Sequence, residues 1–108
     1  MRFKSKAQNI TNQIRAYLIR DSELSELNAE TELKLLLLEN ALVDYFNAQN
    51  IIKQRGYIVE FNKGTSFGNN PALKLKSDST KIILKILKEL EIKADSESVE
   101  DFINNLVN

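Results

Sequence analysis

The 108 residues contain no cysteine, no histidine and no tryptophan, and they hold one proline and three glycines. Without thiols there is no disulfide staple, no thiolate nucleophile and no cysteine metal site, which points to the cytoplasm. Without histidine, serine triads, cysteine–histidine dyads, the usual zinc sites and histidine acid–base catalysis are excluded as well. Lysine and carboxylate chemistry remain. Binding or scaffolding is therefore expected rather than catalysis, with no catalytic residue, no metal and no cofactor. Long apolar runs are also missing: the longest, Leu35 to Leu38, falls far short of the roughly 18 residues that span a bilayer. The opening stretch MRFKSKAQNITNQ lacks the apolar centre of a signal peptide, so no membrane partner is expected.

Net charge is absent too, with 15 basic residues against 15 acidic ones. Overall basicity thus advertises no nucleic-acid partner, and any such role has to come from local charge. Locally the charges fall in blocks. Residues 1–20 carry Arg2, Lys4, Lys6, Arg15 and Arg20 and no acid, whereas in 21–46 Asp21, Glu23, Glu26, Glu30, Glu32, Glu39 and Asp44 face only Lys34. Lysine dominates again from 47 to 93, and Asp95, Glu97, Glu100 and Asp101 make the tail acidic.

With 43% hydrophobic and 28% charged residues, the composition is that of a globular chain, and the length fits one domain. Within 1–108 the pattern separates a basic N-terminal helix (1–20), a helical core (28–93) and an acidic tail (94–108). The spacing of Ile10, Ile14, Tyr17 and Leu18 predicts a helix from about Ser5 to Arg20, with Ser5-Lys6-Ala7-Gln8 as a capping box. A second helix is expected from about Asn28 to Arg55, where good helix formers run unbroken until Gly56 stops them. Such a helix is roughly 40 Å long, against a radius of gyration of about 13 Å for a compact domain of this size. Its stripe of Leu35, Leu38, Leu42, Tyr45 and Ile52 is widened by Leu33, Leu36, Leu37, Ala41, Ala48 and Ile51. That is more apolar surface than one short chain readily covers, so the excess is read as an interface between copies, with the stripe assigned to it, against the alternative that the first and third helices cover it alone.

After Gly56, the alternation of Tyr57, Val59 and Phe61 with Ile58 and Glu60 predicts a short β-hairpin or extended arm around 57–69. Gly64 to Gly68 is no phosphate loop, because Asn69-Asn70 stands where Lys-Ser/Thr is required. Asn70-Pro71 opens a third helix to about Leu90, with asparagine as cap and proline preset for the first turn. Leu75, Ile82, Ile83, Ile86, Leu87 and Leu90 are expected to face the core, with Lys74, Lys81, Lys85 and Lys88 opposite. A capping box at Ser98-Val99-Glu100-Asp101, followed by Phe102, Ile103 and Leu106, suggests a last short helix. The fold class is thus mainly α: an antiparallel helical hairpin built on a long central helix, oligomeric, with a possible short β-hairpin.

From Tyr45 to Ser96 the chain resembles a family of phage terminase small subunits. Tyr45, Ala48, Ile52 and Gly56 look like that family's long-helix ending, and Tyr57-Ile58-Val59 takes the place of its extended segment. Asn70-Pro71-Ala72-Leu73 is similar to its Asn-Pro helix start, and Lys81 to Ile92 resembles the helix that ends in Leu-x-aliphatic. Where the family often continues with Leu-Gly-Leu, a polar residue, proline and a nearby arginine, this chain has Leu90-Glu91-Ile92-Lys93-Ala94-Asp95-Ser96-Glu97. The resemblance implies a ring-forming protein in the cytoplasm of a bacterial host. It would recognise double-stranded viral DNA and hand it to the terminase large subunit, to which the ATPase and nuclease activities belong.

Under that reading Arg2, Lys4, Lys6, Arg15 and Arg20 supply phosphate contacts, and Gln8, Asn9, Asn12 and Gln13 are candidates for base-edge contacts. Two other readings stay open. One is an oligomeric helical adaptor that binds no DNA. The other is a small helix-turn-helix regulator, for which the Gly56–Asn70 connection is too long but the link from Asp21 to Leu27 leaves room.

Overall fold

A computed structural model describes residues 2–22, 26–61 and 66–92. The chain is mainly helical, with α1 at Arg2–Ser22, α2 at Ala29–Arg55 and α3 at Ala72–Glu89. Between α2 and α3, β1 (Ile58–Phe61) pairs antiparallel with β2 (Ser66–Asn69), with Ile58 opposite Asn69 and Phe61 opposite Ser66. The acidic tail, including the helix expected after Ser98, lies outside the described residues. Among those residues, no helix is long and apolar enough to cross a membrane.

Each end of α2 follows from local chemistry. The Asn28 side chain accepts a hydrogen bond from the Thr31 amide at 2.8 Å, so a donor of the first turn, which has no partner within the helix, is satisfied. Glu30 and Glu32 then sit where the helix dipole favours acids, and Lys53 and Arg55 where it favours bases. Termination comes at Gly56, whose φ of 82° and ψ of −178° suit only glycine. Its amide still donates to the Ile52 carbonyl at 2.7 Å.

α2 is the spine of the fold, and α1 and α3 pack against it. Ala7, Ile10 and Ile14 of α1, Leu35, Leu38, Ala41, Leu42, Tyr45 and Phe46 of α2, and Ile83, Ile86 and Leu87 of α3 form one buried cluster. A smaller cluster joins Ala48 and Ile52, near the end of α2, to Ala72 at the start of α3. At the opposite end, Leu90 and Glu91 line a groove together with Leu27, Asn28 and Thr31. The body measures 59 × 28 × 25 Å, with a radius of gyration of 16.2 Å. It is drawn out beyond a compact chain of this length, as a 27-residue central helix requires.

Four expectations are corrected by the packing. The stripe of Leu35, Leu38, Leu42, Tyr45 and Ile52, assigned above to an interface between copies, is buried within the chain at 8% exposure or less. α1 and α3 lie over it, so those side chains are core. What stays uncovered on α2 is Leu33, Leu36, Leu37 and Ile51. On α3, Leu75 and Ile82 are exposed rather than core-facing, because they lie at the margin of the arc centred on Ala72, Ser79 and Ile83. Finally, α1 begins before Ser5, so Ser5 is an exposed residue inside the helix and caps nothing. The extra turn carries Phe3, whose ring stacks on Phe46 with centroids 6.4 Å apart. Tyr17 of the expected α1 stripe is likewise 44% exposed, whereas Ala7 and Thr11 are buried.

α3 ends in an unusual way. Leu90 closes the helix, Glu91 takes a left-handed conformation with φ of 58°, and the chain turns back. The Ile92 amide donates to the Leu87 carbonyl at 2.9 Å and the Glu91 amide to the Lys88 carbonyl at 3.0 Å. This is a Schellman turn, in which the left-handed position is normally glycine. Ile92 packs on the core beside it. A β-carbon in this conformation costs about 1–2 kcal/mol, partly offset by the extra freedom glycine brings to the unfolded chain. Glu91→Gly is therefore expected to stabilise the protein by about 0.5–1 kcal/mol, read as a higher urea midpoint with an unchanged slope.

Candidate nucleic-acid interface

α1 has its apolar residues in one sector and leaves the rest to solvent. Phe3, Ala7, Ile10, Thr11, Ile14 and Leu18 face α2 and α3. Thr11 is buried without cost, since its hydroxyl donates to the Ala7 and Gln8 carbonyls. On the outer side Gln8, Asn9, Asn12 and Gln13 are all exposed. At 3.6 residues per turn these amides occupy one continuous arc together with Ser5 and Ala16. The face is polar and uncharged.

The five basic residues of the N-terminal block do not form one patch. Lys4 and Arg15 lie along one edge of the amide arc, Lys6 along the other, and Arg20 beyond the last amide at the C-terminal end of α1. Arg2 opens the helix. Lys4 is exposed and lines an open groove of about 640 Å³ with Phe3, Glu39, Asn40, Val43, Asp44 and Asn47. Lys6 places its ammonium 4.4 Å from the centroid of the Phe46 ring, a cation–π contact that holds the stem against the core edge while the head stays wet.

Arg15 is the most constrained cation. Its Nε donates to Glu32 Oε1 at 2.8 Å, and its guanidinium also donates to Asn12 Oδ1. Both partners of the ion pair are well exposed, at 35% and 46%, so the pair adds at most about 1 kcal/mol to stability. Its larger effect is geometric. The Asn12 oxygen accepts from Arg15, and Asn12 is exposed, with an NH2 group still able to donate. Gln8, Asn9 and Gln13 make no side-chain hydrogen bond among the described residues and can both donate and accept.

The chain matches no protein-family model, no curated protein and no solved structure. No group of carboxylates able to hold a metal occurs among the described residues. Gly56 ends α2, and Asn70 caps α3, accepting from the Ala72 amide at 3.0 Å. Pro71 is already helical, with φ of −55°. The link between α1 and α2, where a helix-turn-helix turn was an open reading, spans 23–28, of which only 26–28 are described.

Proposed function

We propose that this chain is the small, DNA-recognising subunit of a phage terminase, working without catalytic activity of its own. It engages double-stranded viral DNA during genome packaging, presents it to the large subunit and modulates that partner's ATPase and nuclease. Its setting is the cytoplasm of the bacterial host. The observation that carries the reading is the outer face of α1, where four amide side chains lie within a surround of cations. Asparagine and glutamine pair with the adenine edge in the major groove, while lysine and arginine hold the phosphates on either side. A helix about 10–12 Å across with its side chains fits a groove about 12 Å wide.

The turn after α3 adds support to the family resemblance. Glu91 has a left-handed backbone, the conformation glycine favours, at the place where the family often has the glycine of its Leu-Gly-Leu. In the proposed assembly α2 and α3 form an antiparallel hairpin, and copies pack side by side into a ring. The contact surface is moved from the buried stripe to Leu33, Leu36 and Leu37 on α2 and Ile82 on α3, which are all about half-exposed.

The test replaces Lys4, Lys6, Arg15 and Arg20 together by glutamine and titrates duplex DNA at several salt concentrations. Affinity is expected to fall, and the salt slope to flatten by about 0.9 for each phosphate that is no longer neutralised. Equal affinity and slope would remove α1 from the DNA site. A parent chain that leaves duplex DNA unshifted at low salt would favour the adaptor reading instead.

A further inference from the structure

α3 turns a face to solvent that neither the core nor α1 uses. Lys74, Lys81, Lys85 and Lys88 are all exposed. At 100° per residue they fall within an arc of about 60°, opposite the buried Ala72, Ser79, Ile83, Ile86 and Leu87, and the row they form is about 21 Å long. Lys76 does not belong to it. Its ammonium lies 5.7 Å from the Tyr45 ring centroid, toward α2.

None of the four lysines makes an ion pair or a side-chain hydrogen bond among the described residues. Asp78 and Glu89 border the row at positions that place an acid four residues after Lys74 and Lys85, yet neither is paired with it. An acid that follows the base is the weaker order for such a pair. Among the described residues nothing neutralises the row's charge, and lysines held in one line on a helix repel each other. α1 differs, because its cations surround an uncharged centre and Arg15 is already engaged by Glu32.

We infer that the α3 lysine row is a second phosphate-contacting surface, which lies along the sugar–phosphate backbone of duplex DNA. The inference rests on the DNA reading above and extends it to a different helix. Charge complementarity identifies the partner: duplex DNA carries one negative charge per about 1.7 Å of its axis, so a row about 21 Å long meets an excess of phosphates wherever it lies along the backbone. Lysine contacts of this kind carry no sequence information. The row supplies the sequence-independent part of the affinity and leaves base choice to the amides of α1.

The experiment uses the whole chain with Lys74, Lys81, Lys85 and Lys88 all changed to glutamine, beside a matched set of Lys→Arg changes. All four positions are exposed, so circular dichroism is expected to show an unaltered helix content. Binding to a duplex of about 20 base pairs is measured between about 50 and 200 mM salt. The glutamine variant is expected to lose up to about 3.6 from the salt slope, at about 0.9 per phosphate, and to weaken equally for all sequences. The arginine variant keeps the parent slope. If the parent binds duplex and the glutamine variant shows the same slope, the inference fails while the reading of α1 stands. If the parent binds no duplex, or binds anionic vesicles in its place, the DNA reading and the inference fail together.

Discussion

Replacing Leu38 and Leu42 together by glutamate is expected to abolish the folded state, seen as loss of helical circular dichroism at any protein concentration. Both side chains are 1% exposed and belong to the core cluster to which all three helices contribute. Each substitution removes about 2–3 kcal/mol of apolar burial, and each puts a carboxylate into an apolar cluster, which costs several kcal/mol more. A domain of this size is stable by only about 5–15 kcal/mol. The contrasting pair is Leu33→Glu with Leu37→Glu, at positions 56% and 50% exposed. That pair is expected to leave the helix content intact and to lower the mass measured by light scattering. A folded double variant at Leu38 and Leu42 would mean that the core has been wrongly placed. An unchanged mass in the Leu33 and Leu37 variant would remove those leucines from the proposed ring.

The second large effect is expected at Asn70, which is 3% exposed and belongs to no apolar cluster. Its Oδ1 accepts from the Ala72 amide and its Nδ2 donates to the Gly56 carbonyl, each at 3.0 Å. Its own amide donates to the Tyr57 carbonyl at 2.7 Å. One side chain thus fastens the place where α2 stops to the place where α3 starts, across the base of the strand pair. Asn70→Ala removes a helix cap, worth about 0.5–2 kcal/mol, and leaves the Gly56 carbonyl without its partner at about 1–3 kcal/mol. The sum, about 1.5–5 kcal/mol, is measurable by urea denaturation. Asn70→Asp keeps the cap oxygen but loses the donor and sets a carboxylate against the Gly56 carbonyl, so both variants lack the Gly56 link and only the alanine variant also lacks the cap. If both variants were as stable as the parent, the clamp would be structurally idle.

The helices were legible in the sequence because their signals are local. Arg55 and Gly56 mark the end of α2 through residue type alone, and Asn70-Pro71 does the same for the start of α3. The start of α1 was not legible, since what holds its first turn is the ring of Phe46, far along the chain in α2. The assignment of the α2 stripe failed for a related reason. A periodic run of leucines reports that a face is covered, and says nothing about whether the covering residues come from the same chain. The excess apolar surface was real, but it resides on Leu33, Leu36 and Leu37, one step around the helix. In the candidate site, the exposed amides of α1 follow from helical periodicity, whereas the division of the cations between two edges depends on which sector α2 occupies. The left-handed Glu91 carried no signal, because glutamate is a residue that normally avoids that conformation.

α1 and α3 each lean on α2 and touch one another little. The distance between the amide face and the lysine row is therefore set by the girth of a single rod and by the two bearings at which its neighbours rest. A chain of 108 residues can thus carry two polar surfaces on one shared rod, with no broad sheet behind them.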